Sequence, residues 1–262
     1  MSSAPRPHYT AFRSRFLAGD VLLGTFVKTP TAHANEILGG VGFDFVVIDE
    51  EHAPFDRGTI DLALLGARAG NIAGLVRVSD TGRLLAALDD GATGVLVPHV
   101  DSATRAAEVV ALCRYRGGQR GFSNTTRAGG YGGRGIWQHV DAQDSEIAVI
   151  AMIEDPHALD HVEEILATPG LDGAFIGRGD LTVALGASGM ESPETRSAAE
   201  RILAAAGKVG KPICIMVASA AEAADWKALG ASAFIVSSDQ GLMRMMAAKV
   251  AADFAPLAKA PA

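Results

Sequence analysis

Eight short apolar runs, separated by stretches with helical spacing, set the strongest limit on how this 262-residue chain can fold. The runs lie at 21–26, 45–49, 73–76, 95–97, 147–153, 172–176, 213–216 and 233–236. Their hydrophobic residues are mostly continuous rather than alternating, as in strands buried on both faces of a parallel sheet. Between them, Ile60, Ala63, Leu64 and Ala67 fall on one helical face, ended by Gly70 and Asn71. Ala103, Ala106, Ala107, Val110 and Cys113 do the same behind Ser102, a suitable N-cap. Further helices are expected at 32–38 (stopped by Gly39-Gly40), around Leu84, Leu85 and Leu88, and over 157–166, 193–209, 219–229 and 240–254.

Such alternation leaves two architectures: a closed, single-domain (β/α)8 TIM barrel and an open doubly wound sheet. The barrel is preferred because the runs are short and alike, and because polar residues close strands two to six. Residues 1–10 read as a flexible arm and 11–262 as one barrel domain. The net charge of −7 is spread along the chain, with no basic block for nucleic acid and no polybasic helix for a membrane surface. No apolar run is long enough to cross a bilayer, and Met1 to Tyr9 lacks the apolar centre of a secretory signal. Cys113 and Cys214 form no disulfide or zinc pattern, so a cytoplasmic location is expected.

In a barrel the C-terminal ends of all strands meet at one mouth. The residues expected there are Asp49 and His52 after strand two, Arg77 after three, His99 after four, Glu154 after five and Asp180 after six. Glu154 and Asp180 offer oxygen ligands for a hard divalent ion, Mg²⁺ or Mn²⁺; the plainer reading is that each caps a helix. His52 suits a general base, with Asp49 to orient it, although a lone His is commonly a surface residue. Arg77 suits a substrate oxyanion or, alternatively, an ion pair with Asp49 or Asp80. Lys28 follows strand one and could form a Schiff base, but a solvated loop lysine is the simpler expectation. The glycine- and arginine-rich stretch 117–139 reads as a functional loop; its spacing matches neither nucleotide fingerprint.

Several motifs occur together and in order. They are Phe43-Asp44-x-x-x-Ile48-Asp49-x-Glu51-His52-Ala53-Pro54, Val76-Arg77, Leu96-Val97-Pro98, Arg120-Gly121, Ile153-Glu154 and Asp172-Gly173-x-Phe175-Ile176-Gly177-x-x-Asp180-Leu181. From Gly24 to the last helix the chain resembles the HpcH/HpaI aldolase family of metal-dependent pyruvate aldolases. The resemblance implies cleavage of a 4-hydroxy-2-oxoacid to pyruvate, or a related 2-oxoacid such as hydroxypyruvate, and an aldehyde. It implies Glu154 and Asp180 as ligands of Mg²⁺ or Mn²⁺, with Co²⁺ or Zn²⁺ as substitutes. It places the substrate carboxylate on the backbone of Gly179 and Asp180, the enolate oxygen on Arg77, and proton transfer on His52 with Asp49. It also implies a homo-hexamer, a trimer of dimers with the C-terminal helix exchanged between subunits and Asp89 reaching a neighbour's site.

The chain departs from the family's pattern at three positions. Glu50 stands where relatives often have Gly, Met152 where several have Gln, and His99 where the better-known aldolases are apolar, although in some relatives a His there contacts substrate. The alternatives on the same barrel are a citrate-lyase-like acyl-CoA lyase and a 2-oxoacid-binding protein without turnover. Arg127 and Arg134, in the loop, could close on an anionic acceptor or serve as a subunit contact.

Overall fold

Strands that are apolar on both faces need a filled interior on one side and helices on the other, and a closed ring supplies both. The computed structural model describes residues 7–258. It contains eight parallel strands closed in sequence order: β1 (Leu22–Val27), β2 (Phe45–Asp49), β3 (Ala73–Arg77), β4 (Gly94–Val97), β5 (Ala148–Ile153), β6 (Gly173–Ile176), β7 (Ile213–Val217) and β8 (Ala233–Ser238). The helices are α1 (Phe12–Leu17), α2 (Ala32–Val41), α3 (Arg57–Ala69), α4 (Leu84–Asp89), α5 (Ala103–Cys113), α6 (Ile136–Glu146), α7 (Val162–Ala167), α8 (Arg178–Ala184), α9 (Pro193–Val209), α10 (Ala220–Ala228) and α11 (Asp239–Phe254). The expected barrel is therefore the observed one, and the doubly wound sheet is excluded.

Successive strand side chains point to opposite faces, so each strand divides its residues between two cores. Phe45, Val47, Leu75, Leu96, Ile150, Met152, Phe175, Cys214 and Ile235 fill the barrel interior, where Phe12 and Phe16 of α1 join them. Val46, Ile48, Val76, Val95, Val149, Ala151 and Ile153 pack outward against the helices. The same alternation carries the interior series upward from Val47 to Asp49, from Leu75 to Arg77 and from Met152 to Glu154. Asp49 and Arg77 are direct register partners of β2 and β3. The mouth chemistry is thus the top layer of the core.

Some boundaries differ from expectation. Helix α2 runs through Gly39 and Gly40 and stops at Gly42, which adopts a left-handed φ of 106°. Gly39 serves the close approach of α2 to the end of α3, while Gly40 faces open space. A Cβ on Gly39 would lie 2.3 Å from the Gly70 carbonyl oxygen, and one on Gly66 2.5 Å from that of Ala32. The stretch 117–139 is not irregular throughout: it holds a 3₁₀ turn, Arg127–Gly129, and the start of α6. Of the expected flexible arm, residues 1–6 lie outside the described residues. Tyr9 N donates to Asn71 Oδ1 at 3.0 Å, and Asn71 Nδ2 donates to the Pro7 carbonyl at 3.2 Å.

The α2–α3 contact gives a test of sign. Gly to Ala inside a helix ordinarily stabilises by about 0.5–1 kcal/mol, whereas forcing atoms into a packed interface costs about 1–3 kcal/mol. Gly66→Ala should therefore lower the melting temperature in a thermal denaturation, not raise it.

Candidate active site

Side chains from several strand ends converge on an open cavity of about 330 Å³, lined among others by Phe26, Lys28, Arg77, Met152, Gly179 and Asp180. Its firmest element is the ion pair between Asp49 and Arg77. Arg77 Nε and Nη2 donate to Asp49 Oδ1 and Oδ2 at 2.9 and 2.8 Å, and Asp49 is fully buried. Arg77 Nη1 also lies 3.2 Å from Glu51 Oε2, and its guanidinium sits 4.9 Å from the Phe26 ring centroid. Burial pushes the Asp49 carboxyl up. The hydrogen bonds and charge of Arg77, with the His52 amide and Lys28, outweigh that and leave it below the usual carboxylate range.

Lys28 is not the solvated loop lysine expected from the sequence. Its Nζ lies 3.1 Å from Asp49 Oδ2, and its side chain is 31% exposed. An ammonium held by a carboxylate lacks the free lone pair that Schiff-base formation requires. Asp49 also meets His52 differently from expectation. It accepts from the His52 backbone amide at 3.2 Å, while the exposed imidazole has Glu51 as its near carboxylate, Nε2 to Oε2 3.8 Å. With both oxygens occupied by Arg77, Asp49 shapes the turn that carries His52 rather than gripping its ring.

Glu154 stands one residue beyond β5 and is 3% exposed. Its Oε1 accepts from the His99 amide at 2.9 Å. His99 adopts a left-handed φ of 53°, which aims that amide at Glu154, and its Nδ1 lies 3.1 Å from Asp155 Oδ2. Burial would lower the His99 pKa, but the carboxylates of Asp155, Glu154 and Glu51 raise it. The Glu154 carboxyl is pushed up to about 7, first by burial and then by the negative charges of Asp180 and Glu51, against the His99 amide and imidazole.

Asp180 lies in the exposed first turn of α8, not in a free loop. That helix is anchored by Arg178, whose buried guanidinium bonds Glu222, Glu191 and the Met216 carbonyl and faces Trp226. Between the two acids sits Gly177, where a Cβ would fall 2.5 Å from Glu154 Cβ and 2.7 Å from Glu154 Oε2. A buried carboxylate raised this far, with two more acids acting on it, is short of positive charge. The oxygen-only pair Glu154 and Asp180 fits a hard divalent cation whose other positions are left to water or substrate. No group of three or more His, Cys, Asp or Glu able to hold a metal occurs among the described residues, so the fit rests on this pair.

Other candidates lie elsewhere. Asp89 ends α4, on the side of the barrel where strands begin, and pairs with the buried Arg120 at 3.3 Å. It does not join the mouth of its own chain. Arg127 binds Asp61 of α3 at 2.6 Å and, with Arg134, lines a cleft near the start of β4; neither reaches the mouth. Glu50 adds no free charge there, because Arg83 and the Ser79 amide hold its carboxylate at 3.0 and 3.3 Å. Sequence reasoning weighed Lys28 but set it aside as a solvated loop residue, and it missed Glu51 as a partner of Arg77 and Ser237 and Ser238 in the cavity wall. The signal for Lys28 was present: it continues the inward series Leu22, Phe26 by two residues.

A family model described as HpcH/HpaI aldolase/citrate lyase matches residues 22–244. The chain belongs to that family. It is 35% identical over 247 residues to the 5-keto-4-deoxy-D-glucarate aldolase of Klebsiella pneumoniae, covering 93% of this chain and 96% of that one. Among solved structures, an HpcH/HpaI aldolase/citrate lyase family protein from Burkholderia cenocepacia matches with a TM-score of 0.87 and 28% identity, over 93% of this chain and 98% of the other. The citrate synthase SbnG matches with a TM-score of 0.84 and 29% identity, over 93% and 97%. The chain is a lyase of the aldolase type, in a family that depends on divalent metal.

Breaking the Asp49–Arg77 pair leaves a buried cation poorly compensated, which costs about 3–5 kcal/mol. Asp49→Asn should lower stability by that order in urea denaturation at neutral pH. Because the Asp49 pKa is lowered on folding, the charged pair contributes fully above the unfolded carboxyl value, about 3.9. The contribution is lost as pH falls through the lower folded value, so the gap between wild type and variant should close only in acid.

Proposed function

We propose that this aldolase cleaves a 4-hydroxy-2-oxoacid reversibly to pyruvate, or a related 2-oxoacid such as hydroxypyruvate, and an aldehyde, with Mg²⁺ or Mn²⁺ at Glu154 and Asp180. What supports the reading is the buried Glu154 carboxyl, pushed up by burial and by the charges of Asp180 and Glu51, with Asp180 and Arg77 lining one cavity. Glu154 and Asp180 would hold the divalent ion, which when bound would supply the positive charge that the developing enolate needs.

The chain's own residues supply the rest. A guanidinium has five N–H donors; Arg77 donates two to Asp49, and its Nη1 lies 3.2 Å from Glu51 Oε2. The remaining N–H groups of the two terminal nitrogens are the donors for the substrate oxyanion. The first N–H groups of α8, at Gly179 and Asp180, precede its first helical bond, Leu181 N to Gly177 O, and are free to hold the substrate carboxylate. His52, exposed at the rim, takes the proton of the 4-hydroxyl during cleavage, or of the 2-oxoacid methyl group in the synthetic direction. His99, beside Glu154 and Asp155, borders the substrate.

Relatives above 30% identity carry aldolase names, which favours this reading over an acyl-CoA lyase. The same reading assembles the chain as a hexamer in which α11 packs on a second copy and Asp89 approaches a neighbour's site. In support, α11 buries none of its residues on its own barrel and exposes Met243, Met246, Val250 and Phe254. No helix among the described residues is long and apolar enough to cross a membrane.

Exchange of pyruvate methyl protons in deuterated buffer, followed by NMR, should require Mg²⁺ or Mn²⁺. Activity surviving complete chelation would refute the metal assignment. In His52→Ala the exchange should fall roughly 10²–10⁴-fold, the usual contribution of a positioned base, while Mn²⁺ binding persists; an unchanged rate removes His52 from the mechanism. Glu154→Ala should weaken Mn²⁺ binding measured by calorimetry, and unaltered affinity would count against Glu154 as a ligand.

A further inference from the structure

Lys28 has no task in the reaction as read above, yet it stands in the reaction's cavity. Its hold on Asp49 is the weaker of two. Arg77 occupies both carboxylate oxygens from a nearly buried position, whereas Lys28 makes one contact from a side chain that is 31% exposed. Arg77 still satisfies both Asp49 oxygens when an incoming anion draws the partly exposed ammonium away. The backbone beneath it is fixed, because the amides of Lys28 and Thr29 donate to Asp239 at 2.8 and 3.2 Å. A pinned base with a four-carbon arm lets a point charge pivot within the mouth.

The neighbouring strand faces the same space. β1 and β8 pair Gly24 with Ile235 but Phe26 with Ser238, so β8 carries one extra residue. Ser237 lies in that bulge with a left-handed φ of 56°, a conformation uncommon for residues other than glycine. Bulges beside active sites re-aim a side chain, and backbone strain gathers at such sites. Ser237 and Ser238 both line the cavity with Lys28. The Ser238 hydroxyl is committed to capping α11 through the Gly241 amide, while that of Ser237 makes no hydrogen bond among the described residues.

In the closed ring β1 stands across from β5, which leads into Glu154. The aldol bond joins the methyl carbon of the 2-oxoacid to the carbonyl carbon of the acceptor. The remainder of the acceptor therefore lies away from the groups that hold the 2-oxoacid, and the β1–β8 wall is the part of the cavity left for it.

We propose that Lys28, assisted by the Ser237 hydroxyl, reads the acceptor: its ammonium binds a carboxylate on the aldehyde, and the enzyme prefers aldehydes that carry an anion over neutral ones of the same length. This rests on the aldolase reading and adds the residue that sets acceptor choice.

The test uses matched acceptors with pyruvate and Mn²⁺: glyoxylate against glycolaldehyde, and succinate semialdehyde against butanal. The wild type should favour the anionic member of each pair at least tenfold in kcat/KM. Lys28→Met should reduce that ratio tenfold or more, mainly through KM for the anionic aldehyde, and Lys28→Arg should restore most of it. The ratio is internal to each variant, so a general loss of activity or of stability does not mimic the effect. A wild type without preference, or a Lys28→Met ratio equal to the wild type's, overturns the proposal. Pyruvate methyl exchange in the wild type separates the two levels. Exchange with an unaltered ratio sinks only the role of Lys28, whereas no exchange and no carbon–carbon bond formation sinks the aldolase reading and this proposal with it.

Discussion

The mouth of this barrel depends on one buried contact, the two-pronged bond between Asp49 and Arg77. A guanidinium and a carboxylate taken out of water are costly unless they satisfy each other's donors and acceptors, and here neighbouring strands in register set them face to face. The pair fixes the orientation of Arg77, gives Lys28 a resting place and holds the turn bearing His52 through its amide. Charged groups placed this way need no reorganisation when charge develops beside them.

The site also divides by sign. On the β2–β3 side, Asp49 and Glu51 are matched by Arg77 and Lys28. On the β5–β6 side, no lysine or arginine among the described residues pairs with Glu154 or Asp180, only His99 lies beside Glu154, and burial lifts that acid. A charge-balanced half thus stands beside an acidic half at the mouth. Met152, apolar and buried between them, adds no ligand to either half.

Much of this was legible in the residue order. Eight apolar runs with polar endings point to a barrel, and the inward alternation places Asp49, Arg77 and Glu154 in one layer. What was hidden depended on partners distant in sequence. Gly39 and Gly40 look like a helix stop, but the helix continues because Gly39 meets the Gly70 backbone across an interface. Glu50 looks like a mouth charge until Arg83 is seen to take it. Lys28 looks solvated because the apolar residues that share its cavity, Met152, Phe175 and Met216, come from β5, β6 and β7. The Ser237 bulge leaves no mark in the sequence, since serine gives no hint of a left-handed backbone.

Gly177 carries a consequence for how such an enzyme can diversify. Its missing side chain is the space filled by the Glu154 carboxylate, so even a methyl group there would push that acid out of line. Lys28, Met152, Met190 and Met216 border the same cavity without holding the acid in place. Evolutionary drift or a mutational library can therefore explore new aldehydes through those wall positions, while position 177 stays closed to variation as long as the acid beside it is needed.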